Sequence, residues 1–238
     1  MGSKRSRRSP ITAGELLSKL EQDPEYQRRQ AELQRQQQRN IEEYLTAAAP
    51  VLQDLAQAGV HVDRISADQL IEQDYKAAIP ILLRWLPRVD NLRIKEAIVR
   101  SLSVPWAKPT AVPALVDAFL QAPDDSPGLK WAIGNALSIV ADDSVFQDIV
   151  ALARDKRHGQ EGRVMVVEAL ANMRNPQAVD VLCELLADEE VAGHALVALG
   201  KLKAARARPQ IEPFLNHSEG WVRKEAKRAL AKIDKAKK

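Results

Sequence analysis

Four histidines, one cysteine and a recurring cation are the side chains of this 238-residue chain whose chemistry could go beyond packing. His61, His158, His194 and His217 could ligate a metal or move protons, since imidazole does both near neutral pH. Two ligands on one helix need to lie one turn apart, and no His-x-x-x-His or Glu-x-x-His spacing occurs. Nor is there a Cys-x-x-Cys pair or a Gly-rich phosphate loop. Cys183 would be a nucleophile only if a neighbour lowered its pKa. A cation recurs as Lys95, Lys130, Arg163 and Arg223. A stacked row of them could hold phosphate, or each could pair with an acid of a nearby turn (Asp90, Asp124, Asp125, Glu219) and fix register. The second reading is the better one. The expectation is a chain that is not an enzyme, with no catalytic residue, no metal and no cofactor.

The elements that would position these groups are helices. Apolar residues make up 45% of the chain, aromatics only 4%, and Ala and Leu dominate the apolar set. Small, strongly helix-forming residues favour packed helices over sheets. One cysteine excludes an internal disulfide framework and fits a reducing cytosol. No apolar run approaches the ~20 residues that span a bilayer. The basic start lacks an apolar stretch of the secretory kind. The expected location is cytoplasmic, with no membrane role.

The net charge of +3 is unevenly spread: residues 1–8 carry +4, residues 201–238 carry +8, and the middle is left at −9. A chain that coated nucleic acid along its whole length would not have an acidic middle.

Residues 1–10 hold little to bury and are expected to be a disordered basic tail. Residues 11–75 read as an N-terminal helical extension with a partial capping repeat. Thr12-x-x-Glu15 is a capping box ahead of Leu16, Leu17 and Leu20, and Asp23-Pro24 opens a long helix expected to reach about Ala49. Ala48-Ala49-Pro50-Val51-Leu52 then looks like a first-helix start, and Ser66-x-x-Gln69 like the cap of a short second helix.

Residues 76–238 repeat. First-helix segments begin at Ala78, Ala111, Val145, Ala178 and Ala207, with Leu82, Leu115, Ile149, Leu182 and Ile211 at the fifth place. Pro80, Pro113 and Pro209 stand third, where a first-turn N–H has no helical partner to lose. Second helices align on Ser101-Leu102, Ala136-Leu137, Ala169-Leu170, Ala198-Leu199 and Ala229-Leu230. Counting the small residue as position 0, positions −7, −3, 0 and +1 share the buried face. Cys183 falls in a column with Leu83, Val116 and Val150, so it reads as a small buried apolar residue.

The unit A-[IV]-P-x-L-x-x-x-L, a turn, then V-R-x-x-A-x-x-A-L resembles the bacterial HEAT repeat of the type named after phycobiliprotein lyases. Trp221-Val222-Arg223-Lys224-Glu225-Ala226-Lys227-Arg228-Ala229-Leu230 carries it most fully. The resemblance implies an all-α, right-handed α-solenoid of about five HEAT-like helical hairpins behind a long N-terminal helical extension. It says less about function, because this fold hosts many activities. One related enzyme class binds iron through His-Glu dipeptides, and this chain has none. A tetrapyrrole lyase or chaperone-like activity is a minor alternative that no residue marks.

With no catalytic constellation and an apolar strip around Trp131 unexplained, the expected function is a non-catalytic protein-protein interaction scaffold that uses a solenoid's concave second-helix face, with another protein as partner and a monomeric state. Arg100, Trp131, Asn135, Val164, Val167, Glu168, Leu196 and Val197 are the candidate partner-binding residues, with Trp131, Val164, Val167, Leu196 and Val197 forming an apolar groove. Nucleic acid is the alternative partner. It would use Arg5, Arg7 and Arg8 at one end and Arg206, Arg208, Trp221, Arg223, Lys224, Lys227 and Arg228 at the other.

Overall fold

The computed structural model describes residues 12–236, with residues 15, 16 and 18 as backbone. Arg5, Arg7, Arg8, Lys237, Lys238 and the Leu16 side chain therefore lie outside the described residues. Everything described is helix, turn or loop, without a strand. The chain divides into two compact units, residues 1–47 and 48–238.

The first unit holds α1 (Ala13–Glu21) and the start of α2 (Pro24–Gln57). Asp23 caps α2, accepting the Glu25 N–H at 2.9 Å, and Pro24 takes the first helical place as its spacing suggests. The Gln/Arg-rich stretch holds itself by pairs one turn apart: Gln36 donates to Asn40 at 3.0 Å and Gln38 to Glu42 at 2.9 Å. Leu33 and Ile41 are exposed.

The helix does not stop at Ala49. It runs through Pro50, which forgoes one amide hydrogen bond, because Val51 and Leu55 are buried beyond it. Gly59, at φ +82°, ends it, and the Val60 N–H closes back on the Leu55 carbonyl at 2.9 Å. The expected box at Ser66 also differs. α3 spans only Ala67–Leu70 with no side-chain cap. Gln69 instead accepts the Asp63 and Arg64 N–H groups at 3.0 and 2.9 Å, tying down the preceding loop.

Five hairpins follow: α4 (Tyr75–Trp85) with α5 (Leu92–Leu102), α6 (Val112–Gln121) with α7 (Pro127–Val140), α8 (Phe146–Arg154) with α9 (Gly159–Ala169), α10 (Gln177–Leu185) with α11 (Ala192–Lys201), and α12 (Arg208–Ile211) with α13 (Gly220–Lys235). Pro113 and Pro209 sit in the first turn of their helices. Pro80 does not, because α4 begins earlier, at Tyr75 under an Asp74 cap. The fifth first helix breaks into a 3-10 turn over Glu212–Asn216, where Pro213 cannot continue the amide ladder.

Each first helix packs on its own second helix, and successive second helices pack most closely on one another. The second helices therefore form one continuous row, the inner layer of an α-solenoid. Glycines permit this approach. A Cβ on Gly200 would lie 2.8 Å from the Ala229 Cα, and one on Gly134 3.1 Å from the Met165 Cβ. The first hairpin is locked by Tyr75, whose hydroxyl donates to the Ser101 carbonyl at 2.7 Å. Burial pushes that phenol up to about 12.

Candidate functional site

One residue step turns a helix by about 100°. An interior second helix meets three neighbours: its own first helix and the second helices before and behind. Positions −7, −3, 0 and +1 face the first helix and core. Position −1, a step away from 0, faces solvent: Arg100 and Arg228 are exposed, and Asn135, Glu168 and Val197 half-buried. Position −2, a further step round, meets the next second helix.

This overturns part of the apolar groove. Val167 and Leu196 are fully buried at position −2, as is Val99, and Val164 is buried too. They are the seam between repeats and do not line a surface. Lys227 occupies the same column on α13 and is exposed. Apolar residues in this column mark stacking between second helices.

What stays on the surface is a strip of larger, more polar groups. Trp131 on α7 is 37% exposed. The Arg100 guanidinium carbon lies 5.8 Å from its ring centroid and holds Glu96 at 2.7 Å. Asn135, one turn further along α7 and half-buried, has a carboxamide with no hydrogen bond among the described residues. Between α9 and α11, the His194 Nδ1–H donates to Glu168 Oε1 at 2.7 Å. The His194 ring lies 5.0 Å from Trp221 of α13, tilted at 49°. A Cβ on Gly193 would fall 1.8 Å from the Trp221 ring, so only glycine lets the indole rest there. Trp221 is still 46% exposed. His194 and Trp221 thus join the inner strip. The sequence placed one among unrelated histidines and the other in a basic patch, because contacts between side chains 27 residues apart leave no local signal.

The basic patch separates into parts. Arg206 faces the first helices, reaching Asp180 at 3.0 Å and the Pro176 carbonyl at 2.8 Å. Arg208 pairs with Asp234 and Glu212. Arg223 donates to the carbonyls of His217 and Ser218 at 2.7 and 2.6 Å. Trp221, Lys224, Lys227 and Arg228 remain exposed on α13.

The recurring cation is largely structural. Buried Lys130 meets exposed Asp124 at 2.5 Å. Arg163, fully buried, donates to the Ala153 carbonyl at 2.9 Å, to Asp188 at 2.6 Å and to Glu190 at 3.1 Å. Its acids come from the next hairpin's turn, not its own. Two depart from this: Arg223 meets carbonyls of its own turn in place of the expected Glu219, and Lys95 has no acidic partner within ion-pair distance among the described residues and borders a crevice of about 110 Å³ with Asp117 and Gln121.

Cys183 is half-buried, not buried, and its thiol faces Gln210 Oε1 at 3.4 Å. Burial, with Asp180 nearby, pushes the thiol up, away from the reactive thiolate. Among the described residues no three His, Cys, Asp or Glu side chains converge as metal ligands, and no helix is long and apolar enough to cross a membrane.

Residues 163–188, from α9 into the turn after α10, match the PBS lyase HEAT-like repeat family. The match runs from the second helix of the third hairpin through the first helix of the fourth, within a chain whose described residues fold as an all-helical α-solenoid. No curated protein matches it. Among solved structures, a designed armadillo repeat protein in complex with the peptide (KR)4 aligns with TM-score 0.47 and 21% identity, over 76% of this chain and 91% of that one. A second designed armadillo repeat protein aligns at 0.46 and 18%, with the same coverage.

Proposed function

We propose that this protein is a non-catalytic scaffold that binds an extended segment of a partner protein along the inner face of its second helices. One observation carries the reading: an exposed Trp131 and an Asn135 carboxamide with no hydrogen bond among the described residues share one side of α7. A carboxamide offers one acceptor and two donors, which suits the N–H and C=O of a peptide unit. An indole beside it offers a large, stiff apolar surface of the kind that anchors interfaces. Arg100 stacked on Trp131 holds that surface in place. The Glu168–His194 pair and Trp221 extend the strip across the later hairpins.

The test is selection of linear peptides from a random phage-displayed library on the whole protein, followed by fluorescence anisotropy of the selected peptides. Trp131→Ala and Asn135→Ala should each weaken binding by about tenfold or more, with the far-UV circular dichroism unchanged. Peptides that bind both variants as well as the parent, or a library that yields no binder, contradict the proposal.

A further inference from the structure

The inner strip is not electrically uniform. At its early end Arg100 is matched by Glu96, and in its middle His194 is matched by Glu168. Cation excess gathers on α13, whose sixteen residues carry six cations and two acids. Both acids are taken: Glu225 by Arg228 at 2.6 Å, and Asp234 by Arg208. Lys224 and Lys232 have no carboxylate within ion-pair distance among the described residues. Trp221, Lys224, Arg228 and Lys232 are spaced by three and four residues, so they share one side of α13. By register that side continues the column of Asn135 and Glu168.

Resting on the peptide-binding reading above, we infer that the partner segment is acidic where it crosses α13, placing Asp or Glu carboxylates among Lys224, Arg228 and Lys232 with Trp221 beside them. An acidic peptide fits better than a nucleic acid. A polyphosphate running along the strip would also meet Glu161 and Glu168 on α9, both facing the same side. A peptide confines its charge to a few side chains and gives Trp131 and Asn135 an uncharged backbone. Lys227, on the same helix but in the seam column, supplies an internal control.

The experiment uses the library-selected peptides, a fluorescein-labelled oligothymidylate, and three whole-chain proteins: the parent, the triple variant Lys224→Glu/Arg228→Glu/Lys232→Glu, and Lys227→Glu. The selected peptides should be enriched in Asp and Glu at one end. They should lose about tenfold in affinity on the triple variant at moderate salt and little on Lys227→Glu. The triple variant should select basic peptides instead. Peptides that need Trp131 and Asn135 but are not acidic, or that ignore the reversal, overturn this inference and leave the peptide-binding reading standing. Equal losses on Lys227→Glu overturn it as well, since they mean diffuse attraction to a basic helix. Oligothymidylate that binds more tightly than the peptides, with the same dependence on the triple variant, overturns it in favour of nucleic acid.

Discussion

Arg163 of α9 and Asp188 of the following hairpin's turn meet at 2.6 Å with both side chains out of water. The third hairpin is thereby fastened to the fourth by a charge-assisted bond. Burial by itself would raise the Asp188 carboxyl, but the Arg163 hydrogen bond and charge, the Glu190 N–H and Lys156 together hold it below the usual value. Removing the cation should strand a buried carboxylate. Arg163→Met is expected to cost about 3–5 kcal/mol in urea unfolding followed by circular dichroism. Arg163→Lys should recover only part of this, because an ammonium cannot reach the Ala153 carbonyl and two acids in the fork geometry of a guanidinium. A Met variant as stable as the parent would remove the pair from the account of repeat stacking.

His158 gives a pH dependence of defined sign. Its ring packs edge-on against Phe119, with centroids 5.0 Å apart. Burial lowers its pKa from the ordinary 6.5, Asp155 and Asp124 oppose this, and Lys130 and Arg157 add to it. Between the lowered folded value and 6.5 the unfolded chain holds more protons than the folded one. Stability should therefore fall as pH drops through that window. The depressed carboxylates act elsewhere: Asp188 and Asp124 lose their contribution only below the usual 3.8. Thermal unfolding of the parent at pH 7.5 and 5.5 should show the drop, and His158→Gln should flatten it. The same slope in both proteins would assign it to other groups.

Two glycines should behave differently although a Cβ collides at each. At Gly200 the obstacle is the Ala229 backbone, which cannot step aside without separating α11 from α13. Gly200→Ala should cost about 1–3 kcal/mol in chemical unfolding. At Gly193 the obstacle is the Trp221 ring, an exposed side chain free to rotate away. Gly193→Ala should leave stability nearly unchanged and make Trp221 fluorescence more accessible to acrylamide. Equal destabilisation at both sites would mean that Trp221 is held more firmly than its exposure implies.

The inter-repeat seam and the inner strip should separate cleanly by mutation. Leu196→Ala removes a fully buried side chain at the junction of α11 and α13 and should cost about 2–5 kcal/mol. Trp131→Ala should cost little stability, within about 1 kcal/mol, while weakening peptide binding by about tenfold or more. Unfolding curves and anisotropy on the same two proteins check both halves. A Leu196→Ala protein that is stable but blind to peptide would return that residue to the binding surface.

These contrasts show how far the sequence could be read. The hairpins were legible because core residues such as Leu82, Leu115, Ile133 and Leu199 recur at helical spacing in every repeat, and burial demands that spacing. The column facing the next helix was not. Val167 and Leu196 look like an unexplained apolar strip until the second helices are known to touch. A single helix has no mark to tell which free side meets a neighbour and which meets water. The first-turn placement of Pro80 and the stop at Ala49 failed for a related reason: the packing of Tyr75 and of Val51 and Leu55 extends each helix past a local signal. Trp131 and Asn135 were visible as non-core positions of their helix, while the His194–Trp221 contact depends on the absence of a side chain at Gly193.

The most direct test of the binding face uses the four tryptophans as reporters. Their indole N–H signals can be followed in a nitrogen-15-labelled protein titrated with a library-selected peptide and assigned by single Trp→Phe variants. Trp131 and Trp221 should shift or broaden. Trp85, whose indole N–H is bonded to Asp54 at 2.7 Å, and Trp106, stacked edge-on against Tyr75, should stay in place. A peptide that moves Trp106 or Trp85 while leaving Trp131 untouched would contradict the account.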